Sequence, residues 1–443
     1  MENTRRSFIK KSVAATAGLT IAGLGVSAKS YQNILGANDR INIAFAGVNG
    51  RGRGLINSAS EVANVHAAYI CDVDSNVLKD RTAKAEESFG HKPKMEEDFR
   101  KILEDKDVDA VAIATPDHWH APMAIMAAQA GKDVYVEKPC SHNPYEGELL
   151  VKVQEKTGRI IQMGNQQRSA GSSIIAIKDI HKGIIGEPYF GKAWYSGRRS
   201  GIGHGQKAQV PEWLNWELWQ GPAPRRDYQG IWVHYNWHWF WHYGTGEVNN
   251  NGLHELDICR WAMQAGHPEK VSSSGGRFHF DDDWEFYDTQ VVNYEYPGNK
   301  LITWEGKSCN SFVHHDRGRG ATIHGTKGTV LLDRDGYIAY DLNGDIIKEV
   351  KEEGENVSMG IVGGGSMTTN HIKNFVNAIR KGEKLHSPIH EGVISAHMCH
   401  LGNISQHLGR TLHLDTITGK VVGDGQAMQM WKREYESGWE PKV

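Results

Sequence analysis

The chain reads as two domains in series: an α/β domain on a doubly wound parallel sheet, then an α+β domain on an antiparallel sheet. Three observations predict this. Short apolar runs alternate with helical stretches from 41 to 164, the pattern of repeated βαβ units. The first run ends in a glycine-rich turn, Gly47-Val48-Asn49-Gly50-Arg51-Gly52. Beyond 271 the spacing changes to paired strands around turn residues such as Pro297-Gly298-Asn299.

The elements follow in order. A strand over 41–46 meets the glycine turn, and a helix is expected over 55–63. A second strand covers 65–71, with helices over 77–89 and 99–104. The next strand, 109–114, is closed by Thr115-Pro116, and a helix over 122–130 carries Ala and Met on one face. A strand at 134–136, a helix over 144–157 and a strand at 160–163 complete the first domain, placed at 40–165. In the second domain, 166–443, helical character persists to 182, and Gly and aromatic residues then dominate to Tyr243. Strands 291–296 and 301–305 form a hairpin, and 322–332 form a second pair broken at Gly325-Thr326-Lys327-Gly328. Helices are expected over 371–380 and 393–408.

Residues 1–28 have the three parts of an export signal. Thr4-Arg5-Arg6-Ser7-Phe8-Ile9-Lys10 is a twin-arginine pattern, an apolar run extends from Val13 to Val26, and Val26-Ser27-Ala28 supplies small residues for cleavage. This predicts a periplasmic or exported protein. The twin-arginine route moves folded proteins, so a cofactor would be loaded before export and held tightly. No other apolar stretch has the length of a membrane span. A formal charge of −3 without basic runs argues against a nucleic-acid partner. The cysteines (Cys71, Cys140, Cys259, Cys309, Cys399) are odd in number and widely spaced, which fits neither a disulfide framework nor a zinc site.

The glycine turn lets backbone amides approach a pyrophosphate at the positive end of a helix. Its candidate contacts are Gly47, Asn49, Gly50, Arg51 and Gly52, with Asn49 at the middle position of the usual glycine triplet. Asp72 ends the second strand, where an acidic residue binds ribose hydroxyls. This favours NAD, while Arg51 and Arg53 leave NADP open. Thr115, Pro116, Asp117, His118, Trp119 and His120 sit at a strand's carboxyl end and are read as further cofactor contacts. Glu137-Lys138-Pro139 ends another strand, and a partly buried lysine there can move a proton.

Seven of the fourteen tryptophans lie between Trp213 and Trp241. Their flat faces suit a sugar, and equally an aromatic core. His234, His238 and His242 recur every four residues; lining of a substrate cleft is preferred to metal binding, because neither ligand count nor geometry is established.

The glycine turn, Asp72, Thr115 to His120 and Glu137-Lys138-Pro139 follow the order and spacing of the Gfo/Idh/MocA oxidoreductases, which the chain resembles over nearly its whole length after the signal. The resemblance implies a Rossmann domain and a C-terminal α+β domain whose large open antiparallel sheet joins copies into a dimer or tetramer. It assigns Lys138 to catalysis or proton relay and places Glu137 and Asn165 near the cofactor. Asn250-Asn251-Gly252-Leu253-His254 stands where the family carries Asp-x-Gly-x-His. His254 thus inherits an acid/base role, with Asn250 in place of the carboxylate and Asp257 one helical turn on. Arg168, Tyr195, Trp237, Asn250, His254 and Asp257 are the implied substrate contacts.

The activity implied is NAD-dependent oxidation of a secondary hydroxyl of a sugar or glycoside, for example to a 3-keto sugar. One alternative is a glycosidase using NAD transiently, in a branch resembling N-acetylgalactosaminidases that departs from Glu-Lys-Pro at the lysine. Another is a non-catalytic, NAD-containing sugar-binding protein.

Overall fold

Parallel strands buried on both faces need apolar side chains at nearly every position, and β1 (Ile41–Ala46) and the fully buried strand at Ala110–Ile113 meet this requirement. The computed structural model describes residues 40–352 and 365–443; the twin-arginine segment, 1–28, lies outside the described residues. After β1 come α1 (Arg51–Ser60), β2 (Val65–Cys71), α2 (Ser75–Phe89), β3 (Lys94–Glu96), α3 (Phe99–Glu104), β4 (Ala110–Ile113), α4 (Asp117–Gln129), β5 (Asp133–Val136), α5 (Pro144–Thr157) and β6 (Ile161–Met163). The strands pair in parallel in the order β3-β2-β1-β4-β5-β6. Strand order reverses between β1 and β4, and the carboxyl ends flanking that point are where an open α/β sheet binds ligands.

Helix α1 begins at Arg51 rather than near 55, and two more elements of the first domain depart from the sequence reading. The short, polar β3 carries no apolar signal. Helix α4 begins at Asp117, not near 122, so Pro122 lies inside it. Proline cannot donate to the carbonyl four residues back. Here that carbonyl, on His118, accepts instead from the Arg433 guanidinium at 2.6 Å.

The second sheet is built from α6 (Gly171–His181), β7 (Pro188–Ser196), α7 (Trp216–Gln220), α8 (Leu253–Met263), β8 (Lys270–Gly276), β9 (Thr289–Tyr296), β10 (Lys300–Lys307), β11 (Arg319–Gly325), β12 (Gly328–Leu332), β13 (Gly336–Asp341), β14 (Ile346–Lys351), α9 (Ser366–Lys381), α10 (Ile389–Leu408), β15 (Leu412–His413) and α11 (Gly425–Gln429). Its order is β14-β13-β12-β11-β7-β10-β9-β8-β15. Every pairing is antiparallel except β7 with β10, so the sheet is mixed. β7 is central yet absent from the sequence reading. Its helix-facing positions include Gly191 and Ala193 rather than large apolar residues. A Cβ at Gly191 would lie 3.1 Å from Cys259 Cβ on α8; the close helix approach erases the usual alternation.

One apolar cluster joins Ile113 and Leu150 to Leu256, Val292 and Trp304, so Ile41 to Val443 pack as one unit. No helix among the described residues is long and apolar enough to cross a membrane.

Candidate active site

A cavity of about 580 Å³ opens at the carboxyl ends of β1, β2, β4 and β5 and is closed by residues from the second sheet's layer. At one end the glycine turn shows why side chains are excluded. Gly47 has φ +75°, and a Cβ there would lie 2.6 Å from the Thr115 nitrogen. A Cβ on Gly52 would lie 2.0 Å from the Gly47 carbonyl oxygen. Helix α1 thus starts directly against the turn, with no acidic residue in its first turn to compete with an anion. Asn49, Gly50 and Arg51 line the same wall.

Asp72 is held by two backbone donors, Val48 N–H at 2.8 Å and Asp74 N–H at 3.0 Å. Burial raises its pKa and these donors oppose the rise. Arg51 donates to Glu137 at 2.8 Å, and Arg53 is exposed and outside the cavity wall. The Thr115 hydroxyl is buried with no hydrogen-bond partner. Glycines without room for a Cβ, a helix N-terminus, a ribose-type carboxylate and an orphaned hydroxyl together fit a dinucleotide.

At the other end, Lys138 Nζ donates to the Asn250 carbonyl oxygen at 2.7 Å and to its Oδ1 at 3.3 Å. Asn250 reaches this point on a π-helical turn, Val248–Gly252, that leads into α8; such turns are frequent at functional sites. Burial lowers the Lys138 pKa, and Asp117 and Glu137 resist that drop. Asp117 accepts from the Thr245 hydroxyl, and burial pushes its pKa up to about 7. His254 faces the cavity with its Nδ1 buried and unpartnered. Burial, then the charges of Arg334, Lys138 and Arg319, hold its pKa well below the usual value. It is therefore a neutral imidazole beside a destabilised ammonium.

The structure separates residues that the sequence grouped. Pro116, Trp119, His120, Tyr195 and Trp237 join the cavity wall. His118 does not. Its Nε2–H donates to the Trp219 carbonyl at 2.9 Å, and its ring packs against Trp219 and Tyr243. Arg168 and Asp257 are also absent from the wall. They form a buried pair, with Arg168 Nε and NH2 at 2.7 and 2.9 Å from the carboxylate and Ser395 donating to it at 2.6 Å. Arg168 is thus bound to Asp257 rather than open to substrate, and Asp257 does not support His254. Asn165 is buried outside the wall with neither amide atom bonded. Its neighbour Gln166 lines the cavity and donates to Glu137 at 2.7 Å.

Most of the tryptophan-rich segment is core: Trp216, Trp219, Trp232, Trp237 and Trp239 share one buried aromatic cluster, of which Trp219 and Trp237 also reach the cavity. The three histidines engage separate partners. His234 faces Asp74 at 3.3 Å, His238 stacks on Trp237 at 3.6 Å, and His242 bonds the Pro224 carbonyl at 2.7 Å. Among the described residues no group of three or more potential ligands is placed to hold a metal.

Sequence reasoning missed Arg199, Tyr235, Asn251, Arg319 and Arg334, all in the cavity wall. Arg199 pairs with buried Glu247 and lies 4.6 Å above the Trp239 ring; Arg319 donates to Glu255 at 2.7 Å. The signal open to inspection was the Arg317-Gly318-Arg319-Gly320 run leading into β11, whose glycines mark close packing.

Comparison with known proteins identifies the two domains as those of an NAD-binding oxidoreductase family. A family described as "Oxidoreductase family, NAD-binding Rossmann fold" matches residues 41–165, and one described as "Oxidoreductase family, C-terminal alpha/beta domain" matches residues 189–441. A protein of Saccharopolyspora erythraea named glycosyl hydrolase family 109 protein is 32% identical over 43% of this chain, a match spanning 45% of that relative's length. Glycosyl hydrolase family 109 protein 2 of Shewanella sp. strain ANA-3 is 25% identical over 88% of this chain and 90% of its own. In fold, the chain is similar to an aldose-aldose oxidoreductase of Caulobacter crescentus crystallised with glycerol, with a TM-score of 0.64 and 18% identity over 85% of this chain and 100% of that one.

Proposed function

The chain belongs to the Gfo/Idh/MocA oxidoreductase family, and we propose that it is an exported enzyme that oxidises a secondary hydroxyl of a sugar or glycoside with tightly bound NAD. One observation carries the reading: Lys138 and His254, an amine and an imidazole that burial drives toward their neutral forms, share one cavity with the glycine turn and Asp72. Bound NAD supplies the hydride acceptor.

The chain's own residues supply position and proton transfer. Gly47, Gly52, Asp72 and the N-terminus of α1 would hold the dinucleotide. Asp72, with Arg51 tied to Glu137, favours NAD over NADP. Lys138, oriented by Asn250, accepts the hydroxyl proton as the carbonyl forms, and neutral His254, in the same wall, offers an imidazole nitrogen to position that hydroxyl by a hydrogen bond. Tyr195 and Tyr235 in the cavity wall are the aromatic rings that would meet a pyranose ring, while Trp237, stacked on His238, supports the wall behind them. The arginine pair at Thr4–Lys10 supports export, and the second sheet is the surface through which copies would associate.

A second reading, a glycosidase that uses NAD transiently, is favoured by the names of the two curated relatives. The purified protein, incubated with a panel of glycosides and no added cofactor, separates the two. The dehydrogenase reading expects a reduced-nicotinamide absorption band and a keto sugar with the glycosidic bond intact. Release of free sugar without net reduction favours the glycosidase and overturns the first reading.

A further inference from the structure

Arg334 lies in the turn between β12 and β13, only 5% exposed, and lines the cavity beside His254 and Arg319. Among the described residues it makes no ion pair and no hydrogen bond, and its Nε is buried without a partner. Neighbouring carboxylates are engaged elsewhere: Glu255 accepts from Arg319 at 2.7 Å through Oε1, and its Oε2 is buried but bonded to nothing, Arg334 included; Asp333 accepts from Arg317 and from the backbone of Asp335 and Gly336. A buried guanidinium with no anion is costly to the fold and needs a reason to persist. Burial and the adjacent Arg319 lower its pKa to about 9, with Glu255 opposing. Of the charges acting on His254, that of Arg334 is the largest, which places the guanidinium next to the acid/base candidate rather than in a remote corner.

We propose that Arg334 receives an oxyanion of the substrate, so that the sugar oxidised here is an acidic one, carrying a uronate carboxylate or a sulfate ester. A guanidinium presents paired N–H donors that match either group. The proposal rests on the sugar-oxidoreductase reading and narrows it. It also accounts for the local charge pattern. Arg199 and Arg319 are each neutralised by their own buried glutamate, whereas Arg334 awaits a partner from outside.

The test compares the intact protein with Arg334→Met and Arg334→Lys, using methyl glucuronide, glucose 6-sulfate and neutral methyl glucoside as probes. Each variant is assayed for bound nucleotide, melting temperature and kcat/KM. The wild-type protein should prefer one acidic probe over the neutral one by about ten- to a hundredfold, the range set by charge-assisted hydrogen bonds. The responding probe identifies carboxylate or sulfate as the group recognised. Arg334→Met should abolish the preference and Arg334→Lys should keep part of it, with the change in KM rather than kcat. Arg334→Met should melt no lower than wild type, because it removes an unpaired charge; a structural arginine would behave oppositely, and a lower melting temperature would count against the proposal. Equal turnover of neutral and acidic probes by wild type overturns the proposal and leaves the sugar-oxidoreductase reading standing. Oxidation of no sugar at all defeats both. Loss of nucleotide from Arg334→Met assigns the guanidinium to the cofactor and also overturns the proposal.

Discussion

Replacing Lys138 with alanine is expected to lower the rate of sugar oxidation by about 10²–10⁴-fold, the range for loss of a positioned acid–base group, while the nucleotide stays bound. Lys138 reaches the cavity from the end of β5, and its Nζ is fixed by Asn250 on the opposite wall. It is not one of the residues of the glycine turn that would hold the pyrophosphate, so its removal should spare cofactor retention. The pH dependence gives a second readout. As a base, Lys138 must lose its proton, and burial lowers its pKa from 10.5. Oxidation should therefore be slow at low pH and rise as pH climbs through that lowered value. Asp117, with a pKa of about 7, ionises on the way and steadies the ammonium, which moves the rise to higher pH. In Lys138→Ala this limb should vanish. Stopped-flow absorbance at several pH values checks both expectations. Turnover at the wild-type rate would remove Lys138 from the mechanism.

Gly52→Ala is expected to yield protein that purifies without nucleotide and melts at a lower temperature. The added Cβ would sit 2.0 Å from the Gly47 carbonyl oxygen, a backbone atom in a turn that is itself wedged against Thr115. Nothing there can rotate away, so α1 must move off the end of β1. Overpacking of this kind costs about 1–3 kcal/mol, and the displaced helix N-terminus carries the amides that would meet the pyrophosphate. Gly50→Ala is the control. A Cβ at Gly50 meets no atom within 4 Å, so that variant should fold with little loss of stability. Calorimetry and nucleotide content after desalting compare the two. Retention of nucleotide by Gly52→Ala at the wild-type level would contradict the assignment of the turn.

The parallel sheet was legible because its signals are local. Apolar runs of strand length, helices between them and the glycine turn all lie within a few residues of one another. The second sheet was less so. β7 hides its identity because Gly191 and Ala193 make way for α8, and its partners β10 and β11 lie more than a hundred residues further on.

Among site residues, motif order located Lys138 and His254, but sequence could not sort His118 from His120. Two positions apart on a helix they point roughly 200° apart, and only the packing of Trp219 shows which one turns from the cavity. Arg168 and Asp257 were misplaced for a related reason. A buried ion pair closes only in three dimensions, and each partner alone resembles a substrate contact. Arg199, Arg319 and Arg334 went unseen because their place in the cavity wall, not residue type, distinguishes them from surface arginines.

The nucleotide itself tests the central claim most directly. Pure protein is denatured before and after exposure to a mixed pool of neutral and acidic glycosides, and the released nucleotide is quantified and its redox state determined. We expect about one nicotinamide nucleotide per chain, as one Rossmann site allows, oxidised at first and reduced after exposure. Protein that releases no nucleotide, or whose nucleotide stays oxidised across the whole pool, would contradict the account.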